Sequence, residues 1–311
     1  MQIIDNFFEQ NTFAEGSVIA LGTFDGLHLG HLDVIKAAHR YAVNKSLKLL
    51  VFTFSNHPLA EIKPDAIPEK LISEEDKIKL FEELGVDVLV NVPFTADFSH
   101  LTPEDFLDKL GAFNFKCLVV GENYTYGYRG QGNVTLLRNS AKKKGFEVII
   151  RKLIAVDQQV ISSSSIRSLI KNGQLKLANR LLGREFTITG IVVKGAGRGN
   201  GLGFPTANIE FVNQELLVPA SGVYAVTVQG SDFELHGMAN IGYSPTFGDV
   251  YKKRLEVNIF DFKADLYGKS LKIILNAYIR SESKFNSINE LLVQMHKDEK
   301  QIRDYFALLN K

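Results

Sequence analysis

The chain has 311 residues, about twice the roughly 150 expected of one domain, so we first expect two domains. Hydrophobic residues make up 45% and charged residues 23%, a composition that excludes a disordered or fibrous protein. Lys and Arg number 36 against 35 Asp and Glu, which argues against a partner recognised by bulk charge, such as nucleic acid.

The single cysteine, Cys117, lies in an apolar run and is expected to be a small core residue. A lone cysteine excludes a disulfide framework within the chain. No apolar run approaches the ~18 residues of a membrane span, and the amino terminus lacks the basic segment of a secretory signal. We therefore expect a cytoplasmic protein with no membrane partner.

Strand and helix patterns alternate through the first half of the chain. Helices are predicted over Leu29–Ser46, from its apolar periodicity, and from N-cap residues Ser73 and Thr102. Continuous apolar runs predict buried strands at Val18–Gly22, Leu47–Phe54, Val86–Val92, Phe115–Gly121 and Phe146–Leu153. This alternation indicates a Rossmann-like α/β domain with a parallel sheet, whose ligands bind beyond the carboxyl ends of the strands.

The pattern changes near Gly183, so we expect domains at 1–182 and 183–311. Short β-branched and aromatic segments follow, at Glu185–Lys194, Gly222–Gln229, Glu234–Ile241, Arg254–Phe262 and Ser270–Ile279. With no helical run between them, they predict an all-β antiparallel barrel or sandwich. Periodic apolar residues over Ile288–Leu309 then predict a C-terminal amphipathic helix.

The segment Gly22–His31 (GTFDGLHLGH) lies where the first predicted strand ends and the long helix begins. A helix start presents unpaired backbone N–H groups that bind phosphate, and Gly26 and Gly30 allow a nucleotide to approach the backbone. His28 and His31 are three residues apart, so we expect both imidazoles on one helical face, donating hydrogen bonds to phosphate oxygens.

Two other interpretations of these histidines are open. Zinc would require a third ligand, and the nearest candidate, His57, comes without a carboxylate in a recognisable arrangement. The histidines could instead cap the helix or fill the core. The two accompanying glycines, at the end of a strand, favour the phosphate site.

The segment Gly195–Asn208 is the densest glycine run in the chain. It fits neither the dinucleotide fingerprint of a Rossmann fold nor a Walker A loop. A hairpin turn is the simplest alternative, but five glycines in nine positions exceed what a turn requires. The run favours a loop whose backbone N–H groups surround phosphates.

The His-x-Gly-His pattern ending at His31 is the signature of the nucleotidyltransferase superfamily, and the chain as a whole resembles the bacterial bifunctional riboflavin kinase and FAD synthetase family. In the first half the likeness also rests on Phe54–Pro58, Gly121–Gly127 and Ile161–Arg167. In the second half it rests on Pro205–Asn208, Gly222–Tyr224, Asn240–Phe247, Arg254–Asp261, Asp265–Gly268 and Tyr278–Phe285.

The resemblance implies an FMN adenylyltransferase domain of the nucleotidyltransferase type, followed by a riboflavin kinase barrel with a C-terminal helix. Such an enzyme phosphorylates riboflavin with ATP to FMN, then adenylylates FMN with a second ATP to FAD and releases pyrophosphate. Its cofactor would be Mg²⁺ bound with ATP, and its partners would be the small molecules ATP, riboflavin and FMN. The sequence leaves the oligomeric state open.

The same likeness assigns roles to residues of both domains. In the first domain His28 and His31 would be catalytic, and His57 and Asn123 would bind flavin. The ATP and phosphate ligands there would be Gly22, Phe24, Asp25, Gly30, Ser163, Ser164 and Arg167.

In the second domain Glu256 would accept the proton of the riboflavin 5′-hydroxyl, while Thr206 and Asn208 would hold Mg²⁺ against ATP. Gly195, Gly197 and Gly203 would bind phosphate through their backbone. On a strand, Glu256 would face away from its apolar neighbours Leu255 and Val257.

Two further functions are weighed against this one. An adenylyltransferase for another phosphorylated cofactor would leave residues 184–311 unexplained. A flavin-responsive binding protein with inactive sites is disfavoured, because the residues expected to be catalytic are all present.

Overall fold

The structure is a computed structural model that describes residues 1–7, 13–157, 159–195, 203–245 and 251–309. The chain divides into two compact units, Met1–Ser163 and Ser164–Lys311. Residues 164–182 thus group with the second unit, whereas the sequence assigns them to the first domain. The functional boundary between residues 182 and 183 stays a prediction. Within the described ranges, no helix is long and apolar enough to cross a membrane.

The first unit is built on a parallel sheet of six strands in the order β1-β4-β3-β2-β5-β8. These strands are β1 (Gln2–Ile4), β2 (Ser17–Leu21), β3 (Lys48–Phe54), β4 (Val88–Val92), β5 (Phe115–Gly121) and β8 (Glu147–Arg151). Two short antiparallel pairs lie outside it, β6 (Thr125–Tyr126) with β7 (Gly132–Asn133) and β9 (Ala155–Val156) with β10 (Gln159–Val160). The five predicted strands and their parallel arrangement are confirmed.

Helices connect the strands of this sheet. They are α1 (Leu29–Lys45), α2 (Leu59–Ile62), α3 (Glu74–Glu83), α4 (Ala96–Ser99), α5 (Pro103–Leu110) and α6 (Val134–Lys144). The side chains of Ser73 and Thr102 accept hydrogen bonds from the N–H groups three residues later, each at 3.1 Å. Both predicted helix starts are therefore confirmed, and they arise from N-capping.

Two apolar cores cover the two faces of the sheet. Along β3, Leu49 and Val51 join the core beneath α1 and α3, while Leu50 and Phe52 join the core beneath α5. A strand turns successive side chains to opposite faces, so a strand covered on both faces is apolar throughout. This double burial explains the continuous apolar runs in the sequence.

The second unit begins within α7 (Ser163–Lys171), which is followed by α8 (Leu175–Leu182) and a closed antiparallel barrel. Its strands are β11 (Phe186–Val193), β12 (Ala207–Phe211), β13 (Gly222–Gln229), β14 (Glu234–Pro245), β15 (Tyr251–Ile259) and β16 (Ser270–Arg280). They run in the order β11-β12-β15-β14-β13-β16. The choice between barrel and sandwich is thus settled in favour of the barrel.

The predicted C-terminal helix is α9 (Ile288–Leu309), which lies on the outside of the barrel. Ile302 and Phe306 of α9 pack against Val223 and Met238 of the barrel strands. The carboxylate of Asp298, which is 2% exposed, accepts hydrogen bonds from the guanidinium of Arg280 at 2.7–3.0 Å. Apolar packing and a buried bidentate ion pair therefore fix α9 to the end of β16.

Candidate active sites

The loop between β2 and α1 has an unusual backbone. Phe24, Gly26 and Leu27 have φ angles of 48°, 77° and 42°, in the left-handed region that costs most residues energy. Such a backbone persists only where its surroundings fix it, and it is common at ligand sites. The loop directly precedes the N-terminus of α1, where unpaired N–H groups favour an anion.

His28 and His31 lie together at this helix start. His28 is the N-cap of α1: its backbone is extended, and its Nδ1 accepts a hydrogen bond from the N–H of His31 at 3.3 Å. The two rings stack with centroids 3.6 Å apart. The two imidazoles are therefore adjacent, as predicted, although His28 precedes the first turn and the contact arises from the N-cap rather than from helical periodicity. Because Nδ1 accepts the capping bond, Nε2 is the donor atom of the neutral His28 ring.

The buried ring of Phe24 anchors this loop. The ring, which is 1% exposed, makes edge contacts with His31 at 5.4 Å and with Phe81 of α3 at 6.0 Å between centroids. A Cβ on Gly22 would lie 2.9 Å from the Phe24 ring, and one on Gly30 would lie 3.2 Å from the His28 ring. Both predicted glycines therefore leave space for the aromatic rings that shape the loop.

Asp25 anchors the middle of the loop through two atoms. Its Oδ1 accepts a hydrogen bond from the N–H of Leu71 at 3.3 Å. Its backbone carbonyl accepts one from the hydroxyl of Ser163 at 2.9 Å. Ser163, in the segment Ile161–Arg167, is thus bonded to the loop, although Ser163 and Asp25 are 138 positions apart in the sequence.

The neighbouring strands bring two further predicted residues to the same edge of the sheet. β2 lies between β3 and β5, so the segments that follow these three strands are adjacent. His57 follows β3, and its Nδ1 accepts a hydrogen bond from the N–H of Leu59 at 3.1 Å. Asn123 follows β5 and is exposed, with its amide oxygen 3.1 Å from the position of a Cβ on Gly121.

Ser164 and Arg167 lie on the first turns of α7, which begins at Ser163 within the segment Ile161–Arg167. Ser164 is exposed and Arg167 is half-buried. Both belong to the second compact unit, and their roles stay predictions.

The barrel unit places three polar side chains side by side. Glu256 on β15 pairs with Asn208 on β12 and, on its other side, with Asn240 on β14. Directly opposed residues of antiparallel strands share a face, with their Cβ atoms about 5 Å apart. Leu255 and Val257 are fully buried while Glu256 is half-buried, so the predicted alternation is confirmed.

Glycine at position 195 leaves room for the side chain of Asn208. A Cβ there would overlap the amide group of Asn208. Gly203 adopts a φ of 80° with open space around its Cβ position. Gly197, the remaining predicted phosphate-binding glycine, lies outside the described residues.

A buried asparagine supports the segment that carries Thr206 and Asn208. Asn258, which is 7% exposed, donates a hydrogen bond from Nδ2 to the carbonyl of Pro205 at 2.7 Å. Asn258 and Asn240 are functional candidates that the sequence alone did not identify. The two-residue spacing from Glu256 could have indicated Asn258, but only the strand register reveals Asn240.

The donor chemistry of this group fits Mg²⁺, which prefers hard oxygen ligands. Thr206 is half-buried directly before β12 and carries a hydroxyl, while Asn208 and Glu256 carry an amide and a carboxylate oxygen. In the part of the chain that the structure describes, no cluster of three or more His, Cys, Asp or Glu side chains could hold a metal ion.

Two family models match the chain, one on each half. The FAD synthetase family matches residues 10–165, and the riboflavin kinase family matches residues 182–306. The chain therefore belongs to the family of bifunctional riboflavin kinases/FMN adenylyltransferases, as the motifs predicted.

Curated relatives resemble the chain over nearly its whole length. The bifunctional riboflavin kinase/FMN adenylyltransferase of Bacillus subtilis is 43% identical, covering 95% of this chain and 94% of its own. The protein of that name in Escherichia coli is 34% identical over 94% of both chains. A crystal structure of a Streptococcus pneumoniae protein described as a macrolide-efflux protein has a TM-score of 0.89 and 33% identity, covering 97% of this chain and 98% of that one.

Proposed function

We propose that this chain carries out two successive ATP-dependent transfers on one flavin, each at its own site. The barrel phosphorylates riboflavin to FMN, and the parallel-sheet unit joins FMN to AMP to form FAD. One observation carries the proposal: two distinct phosphate-binding patterns occur intact in a single chain whose halves match the two corresponding families. The phosphate oxygen added at the first site is the nucleophile at the second.

At the barrel site Glu256 acts as the general base. It takes the proton of the riboflavin 5′-hydroxyl as that oxygen attacks the γ-phosphorus of ATP, and ADP leaves. Asn208 and Asn240, paired on either side of Glu256, support its orientation in the site. The backbone N–H groups of Gly195, Gly197 and Gly203 bind the phosphates, and the glycine at 195 keeps Asn208 in place.

Thr206 and Asn208 supply the oxygen atoms that would bind Mg²⁺ together with ATP. Mg²⁺ bound there would offset phosphate charge during transfer. The hydrogen bond from Asn258 to Pro205 holds the segment that presents these two residues.

At the parallel-sheet site an FMN phosphate oxygen attacks the α-phosphorus of ATP, and pyrophosphate leaves. His28 and His31 donate hydrogen bonds to the α-phosphate as its charge grows, and the loop backbone at Gly22, Phe24, Asp25 and Gly30 binds the nucleotide. No covalent enzyme intermediate is required, since positioning and charge stabilisation account for most of the catalysis of such transfers.

The remaining predicted ligands are assigned to the same reaction. Ser163, Ser164 and Arg167 bind the departing pyrophosphate, because an arginine fork and hydroxyl groups match its oxygen atoms. His57 and Asn123 contact the flavin. We place both reactions in the cytoplasm, in keeping with a chain that has a single cysteine.

One incubation tests this function. The protein is mixed with riboflavin, ATP and Mg²⁺, and FMN and FAD are separated by chromatography over time. We expect FMN first and FAD afterwards, and we expect that omission of ATP or chelation of the metal stops both. Unconsumed ATP and riboflavin would indicate a binding protein, and FAD formed only from added FMN would indicate an adenylyltransferase alone.

A further inference from the structure

A buried lysine lies beneath the loop of the parallel-sheet site. Lys77, on α3, is 6% exposed. It occupies the buried face of the helix together with Phe81, one turn later. Burial lowers the pKa of Lys77, and the nearby carboxylates of Glu74 and Asp25 oppose this shift, while Lys70 adds to it. An apolar side chain would occupy such a position at a lower desolvation cost.

The ammonium group of Lys77 is bonded to the end of β3. Its Nζ donates to the hydroxyl of Thr53 at 3.2 Å and to the carbonyl of Phe54 at 3.3 Å. An ammonium can only donate, so the Thr53 oxygen accepts this bond and the hydroxyl proton is available for another acceptor.

That acceptor belongs to the loop between β2 and α1, the proposed nucleotide loop. The hydroxyl of Thr53 donates to the backbone carbonyl of Thr23 at 2.9 Å, and Thr53 is fully buried. Two consecutive hydrogen bonds, in a direction fixed by the donor-only lysine, thus connect α3 to the loop.

The helix holds the loop at a second, adjacent position. Phe81 of α3 makes a T-shaped contact with the Phe24 ring, and Phe24 in turn contacts His31. Thr23 and Phe24 are therefore both fixed from α3, by a hydrogen-bond chain and by an aromatic contact. The left-handed backbone at Phe24 requires support of this kind.

We propose that Lys77 is a positioning residue for ATP in adenylyl transfer, acting through Thr53 on the backbone of the nucleotide loop. The inference rests on the proposed assignment of this loop to the adenylyl site. Lys77 need not contact ATP: its charge-assisted bond to Thr53 fixes the Thr23 carbonyl, and with it the peptide groups that face the nucleotide.

The test measures FAD formation from FMN as a function of ATP concentration. Lys77→Met removes the donor at similar volume, and Thr53→Val removes the hydroxyl at similar shape. We expect each to raise the KM for ATP about tenfold while kcat changes less than about threefold, as for loss of a hydrogen bond to a charged group. The double variant should be no worse than the single ones, because both interrupt the same chain.

Two controls separate positioning from packing. Thr53→Ser keeps the hydroxyl and should restore a low KM. Lys79→Met removes an exposed lysine of the same helix, paired with Glu75, and should leave the KM unchanged. Riboflavin phosphorylation by each variant reports on the integrity of the rest of the chain.

Several results would overturn the proposal. An unchanged KM with a reduced kcat would mean only fewer folded molecules, and equal defects in Thr53→Ser and Thr53→Val would mean packing. If Lys77→Met does not fold, the two Thr53 variants decide the question. The variant His31→Ala separates failure of the Lys77 proposal from failure of the proposed function. If His31→Ala leaves FAD formation intact, the loop is not the adenylyl site, and both the proposed function of this site and the role of Lys77 are wrong.

Discussion

The two candidate sites are built by different means. At the parallel sheet, a loop of left-handed residues is held by an N-cap, an aromatic ring and hydrogen bonds from distant segments. In the barrel, the polar side chains of Asn208, Glu256 and Asn240 are brought together by strand register. The first site depends on backbone conformation, and the second depends on which side chains are opposed.

This difference predicts where each site is sensitive. A strand register is maintained by many hydrogen bonds, so a single substitution rarely shifts it, but a displaced side chain changes the site at once. A strained loop is fixed by a few contacts, and each contact affects its geometry. Glycine substitutions test both cases, because they add one carbon atom at a chosen point.

The largest effect is expected at position 195. The added methyl of Gly195→Ala would occupy the space of the Asn208 amide, so that side chain must move. Loss of one preorganised group typically lowers a rate about a hundredfold, and we expect this loss in riboflavin phosphorylation, with FAD formation from FMN unchanged. Steady-state kinetics of the two reactions measure it.

Gly111→Ala is the control for this substitution. Gly111 has helical backbone angles and no atom near its Cβ position, so both activities should be retained. Wild-type phosphorylation by Gly195→Ala would contradict the placement of Asn208 in the kinase site.

A smaller effect is expected at position 26, in the loop of the first site. Gly26→Ala places a methyl 2.9 Å from the Leu71 side chain at a φ of 77°. Gly145→Ala, at a φ of 79° with open space, is matched for backbone strain. Each should lower the free energy of unfolding by about 1–2 kcal/mol.

Only Gly26→Ala should also slow FAD formation, by about tenfold, because only its methyl disturbs a loop that positions the reacting groups. Thermal unfolding and adenylyl-transfer kinetics of the two variants provide the comparison. Equal activities at equal stability would mean that the loop conformation does not matter for catalysis.

The smallest effect concerns Cys117, a fully buried residue of strand β5. Burial, with a lesser contribution from Glu147, raises the pKa of its thiol to about 12. We expect no reaction with a thiol reagent at pH 8 in the native protein, and reaction only when this unit opens. Gly195→Ala should leave the labelling rate unchanged, whereas Gly26→Ala should increase it; equal increases would contradict separate responses of the two units.

The raised pKa of the Cys117 thiol also determines how the stability of the folded state changes with pH. The unfolded thiol ionises near its ordinary value of 9.0, while the folded thiol keeps its proton up to about 12. Between these two pH values the folded state therefore binds more protons than the unfolded state, and stability falls as the pH rises from 9.0 to about 12. Cys117→Ala should reduce this alkaline loss of stability in denaturant titrations, and an unchanged pH dependence would contradict the shift.

Much of the fold could be predicted from the sequence, because burial on both sheet faces leaves continuous apolar runs and capping residues mark helix starts. One exception has a physical reason: strand β1 has three residues, too few for a pattern.

The sites could be predicted less completely. The histidine pair is recognisable from its spacing, but its stacking arises from an N-cap that helical periodicity does not describe. Asn240 and Glu256 are far apart in the sequence and meet only through register. Lys77 occupies a position that the apolar face of α3 would give to a hydrophobic residue, and its role follows only from the hydrogen bonds it makes.

The central claim is that two independent sites act in succession, and a mixing experiment tests it most directly. Riboflavin, ATP and Mg²⁺ are supplied to His31→Ala, to Glu256→Gln, and to both variants together. We predict FMN alone from the first, no product from the second, and FAD from the mixture, with the second also converting added FMN to FAD. A mixture of folded variants that forms no FAD, or a single variant that loses both activities, would contradict the account.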